Sequence, residues 1–122
     1  MKILFIGDVV GKAGRRALKR FLPEMRDVAE ADLTVVNAEN AAGGFGVTES
    51  VLDEFLQDSE IDVLTSGNHI WDKREALDLI QREPRLLRPH NYPEGTPGSG
   101  WFVATAANGV KVGVLKIGRA HV

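Results

Sequence analysis

Thr65-Ser66-Gly67-Asn68-His69-Ile70-Trp71-Asp72 follows directly on the apolar run Ile61-Asp62-Val63-Leu64. The run has the length and character of a buried strand. Gly67 then frees the backbone, and an amide and an imidazole stand side by side. Asp72 and Glu75 have the Asp-x-x-Glu spacing of a helix start. Asn68 and His69 are therefore expected on a loop between the carboxyl end of a strand and a helix. In open α/β sheets, ligands bind at that edge. Asn offers a neutral oxygen to a hard cation, and His offers a nitrogen ligand or a proton near neutral pH. Taken alone, the pair also suits a turn in which both residues only satisfy backbone groups.

The same punctuation occurs twice upstream. Ile3-Leu4-Phe5-Ile6 reads as a strand buried on both faces of a parallel sheet, and it ends at Gly7-Asp8-Val9-Val10-Gly11. Leu33-Thr34-Val35-Val36 reads as a second strand, ending in Asn37-Ala38-Glu39-Asn40 and the glycine-rich loop Ala41 to Gly46. Between them Ala17, Leu18, Phe21, Leu22 and Met25 predict a helix from Ala13 to about Ala29, which Pro23 should end, kink or restart. Thr48 is the expected cap of a helix from Glu49 to Asp58, with Val51, Leu52, Phe55 and Leu56 inward. The third strand is Asp62 to Leu64. The helix after Asp72 should run to about Arg82, with Ala76, Leu77 and Ile80 inward, and Pro84 stops it.

Arg88 to Gly100 carries three prolines and three glycines and reads as a loop, in which His90 is expected to be structural or exposed. Trp101 to Thr105 and Val110 to Leu115 read as strands joined at the hairpin signal Asn108-Gly109.

Strand, loop and helix repeated three times, then a hairpin, predict an α/β fold with a parallel or mixed core sheet. Asp8, Glu39, Asn40 and Asn68 then share one sheet edge. Singly, each has a plainer reading: Asp8 as a turn aspartate, Glu39 as a solvated acid, Phe45 as loop packing. Together, two carboxylates and two amides at one place call for a cation, because crowded acids are unfavourable unless neutralised. A divalent metal centre is the economical explanation. Gly7 to Ala13 misses the Walker pattern: its glycines are one residue too close and Ala13 replaces the hydroxyl. Its backbone amides keep open a second class, a non-catalytic nucleotide- or phosphate-binding α/β module.

Composition sets outer bounds. A length of 122 residues with 43% hydrophobic content suits one domain. A net charge of -2 with interspersed signs gives no strong nucleic-acid signal. Without cysteine, disulfides and Cys-based zinc sites are excluded. No apolar run approaches the roughly 20 residues of a membrane span, and the N-terminus turns acidic too soon for a signal peptide. A cytoplasmic enzyme or binding domain is expected, and a homo-oligomer is allowed.

Gly7-Asp8, then Asn37-Ala38-Glu39-Asn40, then Gly67-Asn68-His69 resemble the ordered motifs of the calcineurin-like metallophosphoesterases. The closer resemblance is to the bacterial 2′,3′-cyclic-nucleotide phosphodiesterase branch, with its Glu-Asn motif and an Arg-Pro-x-Asn-Tyr-Pro-x-Gly-Thr-Pro-Gly loop, matched here by Arg88 to Gly98. The resemblance runs from Met1 to about Leu115. It implies a layered α/β sandwich, here incomplete at its C-terminus, that hydrolyses phosphodiesters or cyclic nucleotides. It further implies two divalent metals; mixed oxygen and imidazole ligands without cysteine favour manganese or iron over zinc. Asp8 would bind the first metal and Glu39 would bridge or bind both. Asn40 and Asn68 would complete the second set, and His69 would protonate the leaving oxygen. No substrate-binding residue is implied. Val10 stands where the wider superfamily has a histidine, and the family's later histidine ligands have no counterpart; His121 lacks their Gly-His-x-His context.

Residues 1–115 are thus expected to be the N-terminal part of a metallophosphoesterase domain. Residues 116–122, Lys-Ile-Gly-Arg-Ala-His-Val, are expected to be a non-native tail, because they leave the family pattern and translate a common sequencing-adapter read.

Overall fold

The structure is a computed structural model that describes residues 1–119. Residues 120–122 of the expected tail, His121 among them, lie outside the described residues. Four parallel strands form one sheet in the order β1 (Ile3–Ile6), β2 (Leu33–Asn37), β3 (Val63–Thr65) and β4 (Leu86–Leu87). Helix α1 (Gly11–Ala29) joins β1 to β2. α2 (Glu49–Asp53) continues as a π-helical turn, Glu54–Asp58, before β3. A 3-10 turn (Asn68–Asp72) and α3 (Ala76–Arg82) lead to β4. β5 (Trp101–Thr105) and β6 (Lys111–Leu115) form an antiparallel hairpin.

Side chains alternate across a strand, and here the alternation sorts the core into two clusters. Val36, Leu64 and Leu86 face the helices, packing with Leu22, Val51, Phe55, Leu79 and Ile80. Leu33, Val35, Val63 and Leu87 face the hairpin, packing with Ala104 and Ala106. The α/β class is therefore as expected, with helices, a parallel sheet and a hairpin as its layers. Asn108-Gly109 does turn the hairpin: Gly109 takes φ +86 and its N–H donates to Ala106 O at 2.9 Å.

Several local expectations need correction. β1 is not buried on both faces; Ile3 and Phe5 are 53% and 58% exposed. It is the edge of the sheet, and the hairpin packs on β2, β3 and β4 instead. α1 starts at Gly11 and continues past Pro23 to Ala29, so Pro23 neither ends nor restarts it. Packing overrides the lost N–H: Leu18 and Leu22 are buried, and Arg26 donates to Thr34 Oγ1 and to the carbonyls of Ser59 and Glu60. Phe21 and Met25 of the expected stripe are exposed. Asp72 closes the 3-10 turn rather than capping a helix, and α3 begins only at Ala76. From that start the inward positions are Ala76, Leu79 and Ile80, and Leu77 is exposed. Glu75 instead accepts from Glu49 N at 3.3 Å, at the start of α2. Thr48 caps α2 as expected, accepting from Val51 N.

Phe55 is 1% exposed at the junction of α2, the sheet and α3. Phe55→Ala is expected to lower unfolding free energy by about 3–5 kcal/mol. Val28→Ala, at a position 79% exposed, should stay within about 0.5 kcal/mol. Urea denaturation followed by circular dichroism checks both.

Candidate metal centre

The three polar strand ends meet. Parallel pairing sets Ile6 beside Val36 and Asn37 beside Thr65, so the loops after β1, β2 and β3 leave the sheet at neighbouring points. Backbone bonds tie them together. Val9 N donates to Asn37 O, Gly11 N to Asn40 O, and Ala38 N to Thr65 O, at 3.2, 3.0 and 2.9 Å.

Asp8 follows β1 in the left-handed region, φ 37. Such a conformation in a non-glycine residue costs about 1–3 kcal/mol and persists where the surroundings enforce it. Its Oδ1 accepts from Asn40 Nδ2 at 2.8 Å. The other end of the same amide, Asn40 Oδ1, makes a short hydrogen bond with His69 Nδ1. Asn40 therefore links the first strand end to the third. Because Asn40 Oδ1 carries no hydrogen, Nδ1 of His69 must be the donor, which leaves Nε2 as its free nitrogen. His69 Nδ1 also lies 3.9 Å from Glu39 Oε2. Glu39 is mostly covered, with its side chain 20% exposed, whereas His69 is about half exposed at 45%.

Gly67 has a steric reason to be glycine, which the sequence did not reveal. Its φ of −125 is open to any residue. A Cβ there would stand 2.6 Å from Glu39 Oε2 and 2.7 Å from Oε1. The carboxylate lies against the bare Cα. On its other side Asn37 Nδ2 donates to Glu39 Oε1 at 3.4 Å. Asn68 is next in the chain and exposed.

Of the expected site residues, Asp8, Asn40, His69 and Glu39 are thus linked directly, and Asn68 sits at the same edge. Among the described residues no group of three or more His, Asp or Glu is placed to hold a metal. The donor set here is two carboxylates plus amide oxygens, a composition that fits a hard divalent cation. The edge is open. Two clefts of about 370 and 340 Å³ lie on the hairpin side of the sheet, and neither contains a candidate residue.

The proline loop supports this edge from one side. Arg88 is buried and gives its guanidinium to four carbonyls, those of Pro89, Thr96, Pro97 and Gly98. Tyr92 on that loop meets Trp71 of the 3-10 turn edge to face, with centroids 5.8 Å apart. His90 is exposed, and its backbone N–H donates to Lys116 O at 2.7 Å. Phe45 is half exposed beneath Lys73, whose Nζ lies 4.6 Å from the ring centre.

The chain matches the family described as YmdB-like protein over residues 4–122. It is 45% identical over 117 residues to the 2',3'-cyclic-nucleotide 2'-phosphodiesterase of Bacillus subtilis (strain 168), covering 96% of this chain and 44% of that protein. Two solved structures are similar, each with a TM-score of 0.76 over 84% of this chain. One is a hypothetical protein from Thermus thermophilus, 42% identical and covered over 39% of its length. The other is a novel phosphatase from Mycoplasma pneumoniae, 36% identical and covered over 38%. The chain spans less than half the length of the relatives it matches.

Gly67→Ala is expected to push the Glu39 carboxylate away, at about 1–3 kcal/mol of stability for the overpacked site. A thermal denaturation series checks it, and an unchanged midpoint would contradict the contact.

Proposed function

The chain belongs to the YmdB-like family, a metallophosphoesterase-type family, and from that premise we propose that its site serves a metal-dependent phosphodiesterase. The substrates are cyclic nucleotides or similar small phosphodiesters, as the name of the Bacillus subtilis relative suggests. One observation carries the reading: Asn40 joins Asp8 of the first strand end to His69 of the third, beside the Glu39 carboxylate.

The division of labour follows from atom types. Asp8 and Glu39 would hold divalent cations through carboxylate oxygens, with Asn40 and Asn68 adding neutral amide oxygens. Two such cations, manganese or iron by donor chemistry, would supply Lewis-acid activation of water and neutralise phosphate charge when bound. Asn40 fixes the ring of His69 by accepting from Nδ1–H, and its Oδ1 keeps a second lone pair for a cation. In the cationic ring Nε2 carries the second proton, the one a departing sugar oxygen needs; giving it up leaves a neutral ring with Nδ1–H still on Asn40. The half-exposed side chain of His69 suits this role.

A phosphate-cradling module without metal is less well supported. The amides of Val9 and Gly11 already donate to Asn37 O and Asn40 O, so the loop after β1 commits them to the fold. We propose a cytoplasmic location; no helix among the described residues is long and apolar enough to cross a membrane.

The test exploits leaving-group chemistry. General acid catalysis is worth about 10²–10⁴-fold when the leaving oxygen needs a proton. His69→Gln should cost that much on a 2′,3′-cyclic nucleotide with manganese present. It should cost far less on bis-p-nitrophenyl phosphate, whose phenolate leaves unaided. Equal losses on both substrates would contradict the acid role. In a manganese titration of this chain, Glu39→Gln should weaken binding more than about tenfold, equivalent to about 1.4 kcal/mol. Unchanged affinity would contradict the metal reading.

A further inference from the structure

Asn37 is the last residue of β2 and is 8% exposed. Its Nδ2 donates to Glu39 Oε1 and to Thr65 Oγ1, each at 3.4 Å. Its Oδ1 is buried with no hydrogen-bond partner, and no other side-chain polar atom among the described residues is so placed. A buried acceptor left unsatisfied costs about 1–3 kcal/mol, so the arrangement needs a reason.

Turning the amide over gives no relief. Oδ1 would then face Thr65 Oγ1, which can donate, but it would also face the Glu39 carboxylate, oxygen against oxygen. The N–H groups would move into the pocket that now leaves Oδ1 without a partner. The observed orientation is the one that presents a donor to Glu39. Two covered surfaces then bound that carboxylate: the Asn37 amide at one oxygen and the bare Cα of Gly67 below. Partners behind a ligand commonly fix its orientation, and losing one typically costs 10–100-fold in metal affinity.

We infer that Asn37 is a positioning residue that holds the Glu39 carboxylate in the orientation in which it binds a divalent cation. The inference rests on the reading of Glu39 as a cation ligand. In this role Asn37 stands behind the carboxylate and is not itself a ligand. It acts through Glu39, and its unsatisfied oxygen is the stability it gives up to keep an N–H on that carboxylate.

The experiment is a double-mutant cycle on manganese affinity, read from the enhancement of water-proton relaxation, using the 122-residue chain. Asn37→Ala and Asn37→Leu are each made in the native and Glu39→Gln backgrounds. The leucine keeps the volume filled and removes the orphaned oxygen, which protects the fold. Native chain binding manganese about 10–100-fold more tightly than either Asn37 variant, with no further loss when Glu39→Gln is already present, supports the inference. An Asn37 effect of equal size in both backgrounds, or none, overturns it and leaves Glu39 as a ligand. Equal affinity of the native chain and Glu39→Gln overturns the metal reading and the inference together. A measurement without variants runs beside the cycle. Magnesium titrated into isotope-labelled chain should shift the Asn37 side-chain NH₂ signals at the same half-saturation as the Gly67 amide. Unmoved Asn37 signals overturn the inference even if neither variant folds.

Discussion

Everything at the candidate centre depends on parallel pairing that ends three strands side by side. With Ile6 beside Val36 and Asn37 beside Thr65, the next residues of each chain segment emerge from one sheet edge. Three backbone bonds between loops then hold the emerging segments together: Val9 to Asn37, Gly11 to Asn40 and Ala38 to Thr65. Side chains distant in sequence become neighbours without any loop spanning far. Asn40 reaches Asp8 across 32 residues and His69 across 29.

The edge carries local costs that the rest of the fold absorbs. Asp8 sits at positive φ without being glycine. Asn37 buries an oxygen with no donor. Glu39 is mostly covered against Gly67. Local rules broken at one place, while both cores pack fully, are the pattern of a functional site. The helix-side cluster, with Phe55, Leu64 and Ile70 almost fully buried, supplies the stability that tolerates them.

Much of this was legible in the chain itself. Alternating apolar runs and turn residues located β1, β2, β3 and the hairpin, and the polar strand ends named Asp8, Glu39, Asn40, Asn68 and His69. What escaped depends on tertiary placement. A continuous apolar run cannot tell an edge strand from a central one, so Ile3 and Phe5 were expected inside. β4 is two residues long and offers no periodicity to read. The Asp72 start signal was overridden by a 3-10 turn, because Asn68 to Asp72 coil tightly before α3. The roles of Gly67 and Asn37 were hidden for another reason: each exists only through contact with Glu39, and no spacing in the sequence encodes that contact.

If three strand ends make one cation site, paramagnetic broadening by manganese should reveal it. Substoichiometric Mn²⁺ added to isotope-labelled chain should broaden backbone amide signals around Asp8, Glu39, Asn40, Asn68 and His69 together, and leave the hairpin sharp. Broadening scattered over surface acids such as Glu24, Asp53 and Glu94, with the three strand-end loops no more affected than the rest, would rule out a shared site.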